Sequence, residues 1–265
     1  MALHKVNAEG LTEDLLLGGR VRLLQPHRGV RVSIDTVLLA SVMAPRPGER
    51  VIEAGAGSGG AALCVAARCP DVALTGIDID PDMVNLAKRN AALNGFEDRV
   101  AFLNANVTDR PAVLGRGQFH HAMANPPYFE ERTCFAPPTK TRARAFIDQD
   151  AVLGDWVRFC LDMVCDKGTV SFIHRADRLD ELIALLYGRA GEMAVFPLWP
   201  KAGLPAKRVI VQARKAMKGT AMHMPGLVLH DPGGAFSEQT EAVLRDARNI
   251  DLSRAGWSRL MHPQR

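Results

Sequence analysis

The chain has 265 residues, 47% of them hydrophobic and 23% charged, with a formal net charge of +4. This is the composition of an ordinary globule large enough to bury a core without disulfide or metal staples, and it excludes a disordered or fibrous chain. No apolar run approaches the ~20 residues that span a bilayer, and the start of the chain, with Glu9, Glu13 and Asp14 close behind Met1, lacks the long apolar stretch of a signal peptide. A cytoplasmic protein without membrane contact is expected.

Three segments follow from the pattern. Residues 1–47 read as an N-terminal appendage packed on the core, with a strand over Arg20–Gln25 and a helix over Thr36–Val42, ending at Pro45-Arg46-Pro47. Residues 48–215 alternate. Val51–Ala54 is a buried strand, Gly60–Arg68 an alanine-rich helix and Val72–Asp78 a second strand. Asp80-Pro81 caps a helix that carries Met83, Leu86, Ala87 and Ala91 at helical spacing and stops at Asn94-Gly95. Strands over Val100–Leu103 and Phe119–Ala124 come next, then a helix over Val152–Val164, a strand over Thr169–His174 and a helix over Asp177–Tyr187. Strands Met193–Leu198 and Arg208–Ala213 close the region as a hairpin. Residues 216–265 read as a C-terminal appendage with a helix near Ser237–Arg248. Strands alternating with helices predict an α/β fold: a seven-stranded, mainly parallel sheet with helices on both faces and a terminal antiparallel hairpin.

Cys64, Cys69, Cys134, Cys160 and Cys165 form no Cys-x-x-Cys pair, so reduced and mostly buried thiols are expected. His120-His121 has no metal-ligand spacing, and no metal is expected.

The first chemical signal is Glu53-Ala-Gly55-Ala-Gly57-Ser-Gly59-Gly60 between a strand and a helix. Glycines let the chain turn and let a ligand approach the backbone, and the helix that follows offers unpaired N–H groups. Asp78, 19 residues past Gly59 and followed by Ile79, ends the next strand, where a carboxylate can accept both hydrogens of a ribose diol. Gly55-x-Gly57-x-x-Gly60 also matches the dinucleotide fingerprint. Glu53 turns the reading to S-adenosylmethionine, because an acid so close to the loop repels a diphosphate and suits a ligand with an ammonium and a sulfonium.

The second signal, Asn125-Pro126-Pro127-Tyr128, directly follows the fourth strand. Two prolines remove two N–H donors, so the Asn125 side-chain oxygen and the Pro126 carbonyl can each accept one hydrogen of a planar NH2 group. Tyr128 can stack on the planar target. These three residues form the expected catalytic set. Two stretches, Arg132–Arg144 and Lys201–Lys218, hold four and six basic residues and no acid, and could face phosphates.

On these residues the chain resembles the class I S-adenosylmethionine-dependent methyltransferases with an Asn-Pro-Pro-Tyr tetrad, and more closely the bacterial tRNA1(Val) adenine-N6-methyltransferase family. The likeness runs from about Leu24 to Ala216 and includes Gln25–Leu39, Glu53–Gly59, Asp78, Asn104-Ala105-Asn106 and Asn125–Phe129. It implies a Rossmann-like fold, S-adenosylmethionine as cofactor and tRNA as partner. It implies cofactor contacts from Glu53, Gly55, Gly57, Gly59, Asp78, Ile79, Asn106 and Asn125. Where the family has an acid for the cofactor's adenine amino group, this chain has Asn106, whose amide oxygen accepts without charge assistance, so weaker binding is expected. Target contacts are expected from Tyr128, Phe129, Asp35 and Thr36, with Arg132, Lys140, Arg142, Arg144, Lys207 and Arg208 on phosphates. A helix-capping role is the alternative for Asp35. Competing functions are glutamine methylation of a release factor, DNA adenine methylation, a nicotinamide oxidoreductase, and a binding module that has kept the fold without catalysis.

Overall fold

The computed structural model describes residues 6–29, 31–109, 111, 113–128 and 151–253. A two-stranded hairpin, β1 (Leu11–Leu16) with β2 (Val21–Pro26), precedes helix α1 (Ile34–Ser41). The alternating region follows as β3 (Arg50–Ala54), α2 (Gly60–Arg68), β4 (Ala73–Asp78), α3 (Pro81–Leu93), β5 (Val100–Asn104) and β6 (Phe119–Ala124). It continues as α4 (Leu153–Met163), β7 (Val164–Arg175), α5 (Leu179–Leu186), β8 (Ala190–Trp199) and β9 (Arg208–Lys215). Two short strands, β10 (Met222–His223) and β11 (Leu227–Val228), lead to α6 (Glu238–Leu244).

Strands β3 to β9 are the seven expected, in the order β8-β9-β7-β6-β3-β4-β5, parallel except where β9 runs against β7 and β8. The count needs correction to nine, because β10 and β11 both pair in parallel with the outer edge of β8. Two-residue strands carry no alternation to read, and their pairing covers an edge that would otherwise offer unpaired amides.

Period-two burial divides the core between the faces of the sheet. Val51, Leu74, Met123, Ile173 and Ile210 pack with the buried side of α1, α2 and α3. Their neighbours Ile52, Ile77, Ala122, Phe172 and Val211 pack with α4 and α5 on the opposite face. Helix α2 is buried over Gly60–Ala66, which explains why its side chains are small and apolar.

Helix boundaries follow local chemistry. Asp80 accepts the Asp82 amide at 2.8 Å to open α3, Pro81 fills the first position where no N–H is missed, and Gly95 at φ +67° follows its end. On α3, Asn90 and Asn94 dock strand β2 by its backbone: Asn90 exchanges two 2.8 Å bonds with Leu24, and Asn94 bonds of 2.8 and 2.7 Å with Arg22. Four residues of helix rise about 6 Å and two residues of strand about 6.6 Å, so the two ladders match. The second Asn90 donor reaches the Ser58 carbonyl at 2.9 Å, which ties this hairpin to the glycine loop.

Candidate active site

The carboxyl ends of β6, β3 and β4 meet in register. Ala124 pairs with Ala54, and Ala54 with Ile77, so Asn125, Gly55 and Asp78 each stand one residue past a common line across the sheet. Adjacent strands lie about 4.8 Å apart, which brings the glycine loop, its acid and the tetrad to one crevice.

The loop is held by the backbone of β4. The amides of Gly55 and Ala56 both donate to the Ile77 carbonyl at 2.9 Å. Gly55, Gly57 and Gly59 take φ of +71°, +53° and +88°, a region that a Cβ disfavours. A Cβ on Gly55 would stand 2.7 Å from the Trp156 ring and one on Gly59 2.7 Å from Phe102, whereas one on Gly57 would meet nothing within 4 Å. Gly57 is therefore the open rung of the loop.

Two carboxylates back it. Glu53 is buried, and its Oε2 accepts the Ala62 amide in the first turn of α2 at 2.8 Å. Burial pushes its carboxyl up to about 8, the Ala62 amide opposing and the nearby Asp78 adding. Asp78 Oδ2 accepts the Gly57 amide at 2.7 Å and Oδ1 the Asp80 amide at 3.0 Å. Its carboxyl is raised by burial, with those two amides opposing. Asn104, opposite Asp78 in register, donates to the carbonyls of Asp78 and Ile79 at 3.0 and 2.8 Å and fixes the turn. Ile79, 42% exposed, presents an apolar side chain beside it. A buried and a half-buried carboxyl group, an open glycine and an exposed isoleucine fit a cationic ligand with a diol and a flat ring. Asn106 Oδ1 accepts the Thr108 amide at 3.0 Å and keeps a second lone pair.

The tetrad is built differently. Asn125 Oδ1 accepts the Tyr128 hydroxyl at 2.6 Å. The same hydroxyl lies 3.3 Å from Asp35 Oδ2, which accepts Arg208 Nε at 2.9 Å. The Arg208 guanidinium sits 4.5 Å over the Tyr128 ring, and His174 of β7 meets that ring edge-on with centroids 5.2 Å apart. Burial, with Asp35 beside it, raises the Tyr128 phenol, and Arg208 partly opposes this.

The structure thus brings Asp35 to the tetrad and removes its capping role: Ser33 caps α1, accepting the Asp35 amide at 3.2 Å. Thr36 instead packs on the first turn of α2, its methyl 3.2 Å from where a Cβ on Gly60 would stand. The counter-charge-free reading of Lys201–Lys218 is corrected. Arg208 pairs with Asp35, Arg214 with Glu192 at 3.0 Å, and Lys201 and Lys215 donate to the carbonyls of Pro232 and Val164. Lys207 is exposed. Phe129, Arg132, Lys140, Arg142 and Arg144 lie outside the described residues. Trp156, His174 and Asn104 were not singled out for the site by sequence reasoning, and no local pattern marks the first two.

Residues 29–148, which span the glycine loop, Asp78 and the tetrad, match the family model for the methyltransferase small domain. With the fold, that match makes the protein an S-adenosylmethionine-dependent methyltransferase. Within that class it is similar to tRNA1(Val) (adenine(37)-N6)-methyltransferases. The one from Porphyromonas gingivalis is 26% identical over 239 residues, 85% of this chain and 91% of that one. The one from Shewanella amazonensis is 36% identical over 116 residues, 44% of this chain and 49% of that one, so this likeness spans about half of either. Among solved structures, a predicted O-methyltransferase from Agrobacterium tumefaciens is 27% identical with a TM-score of 0.69, over 83% of this chain and 99% of that one.

Proposed function

We propose that the protein methylates the exocyclic N6 amino group of an adenine in tRNA. The observation that carries this reading is the Asn-Pro-Pro-Tyr tetrad at the end of β6, one strand from the glycine loop, with its acceptors grouped and its prolines lacking N–H donors. The names of the relatives similar over most of the chain support the same substrate.

Glu53 and Asp78 would hold the ammonium and ribose ends of the cofactor, the Gly55–Gly59 backbone and Asn125 its middle, and Ile79 and Asn106 its adenine. When bound, S-adenosylmethionine supplies an electrophilic methyl on a positive sulfur. The chain's own part is to orient the acceptor. An adenine amino lone pair is delocalised into the ring, and accepting both its hydrogens, one on Asn125 Oδ1 and one on the Pro126 carbonyl, turns that lone pair toward the donor. Tyr128 and Phe129 would flank the base, a stacking contribution of roughly 1–3 kcal/mol each. An alcohol acceptor has a single hydrogen to place, so the paired acceptors favour nitrogen over the oxygen chemistry ascribed to the Agrobacterium protein.

The test is incubation with labelled cofactor and separate pools of unmodified tRNA, ribosomal RNA, DNA and release factor, followed by mass spectrometry. N6-methyladenine in tRNA is the expected product. Label on a release-factor glutamine, or on DNA alone, overturns the substrate, and label on an oxygen overturns the clamp.

A further inference from the structure

Tyr128 has one hydroxyl hydrogen and two acceptors within reach, the neutral amide oxygen of Asn125 at 2.6 Å and the Asp35 carboxylate at 3.3 Å. A free carboxylate is the stronger acceptor and would draw that hydrogen. It is not free. Asp35, with a side chain only 13% exposed, takes Arg208 Nε at 2.9 Å on the very oxygen that faces the tyrosine. Arg208 also lies over the ring at 4.5 Å, so one guanidinium fixes both the competing acceptor and the plane of the phenol.

The direction of that hydrogen matters for Asn125. The two ends of a carboxamide have nearly the same shape and opposite hydrogen-bonding sense. A reversed amide would present its NH2 to the target's NH2, donor against donor. A hydroxyl donating to Oδ1 fixes which end is oxygen and leaves that oxygen a second lone pair. We propose that Arg208 is a positioning residue for the transfer: by holding Asp35 it leaves the Tyr128 hydrogen on Asn125 Oδ1, and so keeps that oxygen set to accept from the target amine. This rests on the amino-group reading above and adds to it two residues, one from α1 and one from β9. It also gives Arg208 a role other than gripping a phosphate.

The test compares wild type, Arg208→Ala, Asp35→Ala with Arg208→Ala, and Tyr128→Phe in methyl transfer to unmodified tRNA. The maximal rate and the KM for tRNA are measured separately, and cofactor affinity by calorimetry. Arg208→Ala is expected to lower the maximal rate about tenfold or more with cofactor affinity kept, since misorientation at a reacting centre acts on the rate. Removing Asp35 as well is expected to restore most of that loss, because the competing acceptor is gone. A residue needed only for packing or for phosphate would show no such rescue. Tyr128→Phe keeps the ring and the ion pair, and provides a second route should Arg208→Ala not fold. Its maximal rate should fall while KM stays. A raised KM at unchanged rate in Arg208→Ala, a double variant as slow as the single one, or an unaffected Tyr128→Phe overturns the assignment. A wild-type protein inert toward tRNA refutes the substrate reading before any variant is compared.

Discussion

On the glycine-loop side of the crevice, residues 53–80 are held by backbone. Glu53 accepts Ala62, Asp78 accepts Gly57 and Asp80, and the loop amides return to Ile77. These partners lie within that one stretch of chain, and the Asn90 and Asn104 side chains brace it from α3 and β5. On the tetrad side, Asn125 and Tyr128 are held by side chains from α1, β7 and β9, whose residues Asp35, His174 and Arg208 lie far away in sequence. The backbone half of each of those bonds cannot be substituted away, so the first side is open to disruption at a few side chains and by added bulk. The second depends on a few removable side-chain atoms. The difference suits two tasks: a fixed bed for a cofactor, and an adjustable clamp for a target.

The sharpest way to break this contrast is to add a Cβ to the loop. Gly59→Ala forces a methyl to 2.7 Å from Phe102 at φ +88° and should cost about 2–5 kcal/mol of stability in urea unfolding. Gly57→Ala, with open space around it, should cost about 1–2 kcal/mol from backbone strain alone and weaken cofactor binding. Equal costs would show that packing does not distinguish the two glycines.

Next in size, Asp78→Ala should lose about 1.5–3 kcal/mol of cofactor affinity, the range for a charge-assisted bond, while Asn125→Ala, which removes one neutral contact to the cofactor's middle, loses less of that affinity and mainly slows transfer. Calorimetry beside a rate assay reads both. If each variant lost both properties, the two sides would not be separable.

Glu53 sharpens the loop side further. Its carboxyl is lifted from 4.5 to about 8, so the folded chain holds that proton more tightly than the unfolded one does. The stability this group contributes is full below pH 4.5 and is lost as pH rises through about 8. At pH 7 roughly nine in ten molecules would carry the proton. Binding a cationic cofactor should expel it, seen as a dependence of binding heat on buffer ionisation enthalpy that disappears in Glu53→Gln. A buffer-independent heat in the wild type would place the positive end of the cofactor elsewhere.

The smallest effect is expected outside both sides. Lys207→Ala should leave the maximal rate unchanged and lower the salt slope of tRNA binding by about 1 if this exposed lysine meets a phosphate. An unchanged slope would move the phosphate surface away from β9.

Much of this protein was legible residue by residue. The glycine run, Asp78 after its strand, the Asp80-Pro81 cap and the Asn94-Gly95 stop are local grammar, and helix and strand periods fixed most of β3 to β9 within a few residues. The hairpin β1–β2 was half seen, because Leu11–Leu16 carries Glu13 and Asp14 and forms a strand only through its partner. Strands β10 and β11 were missed, being short pairings imposed by the edge of β8.

The class of fold, the glycine bed with its two acids, and the acceptor-rich tetrad can be read along the chain, because each depends on neighbours within about twenty residues. What the charges do is settled in three dimensions. In a stretch that reads as six basic residues without an acid, Arg208 and Arg214 are paired with Asp35 and Glu192, which approach through folding rather than through sequence. Coulomb attraction acts over a few ångströms of space, whatever the distance along the chain.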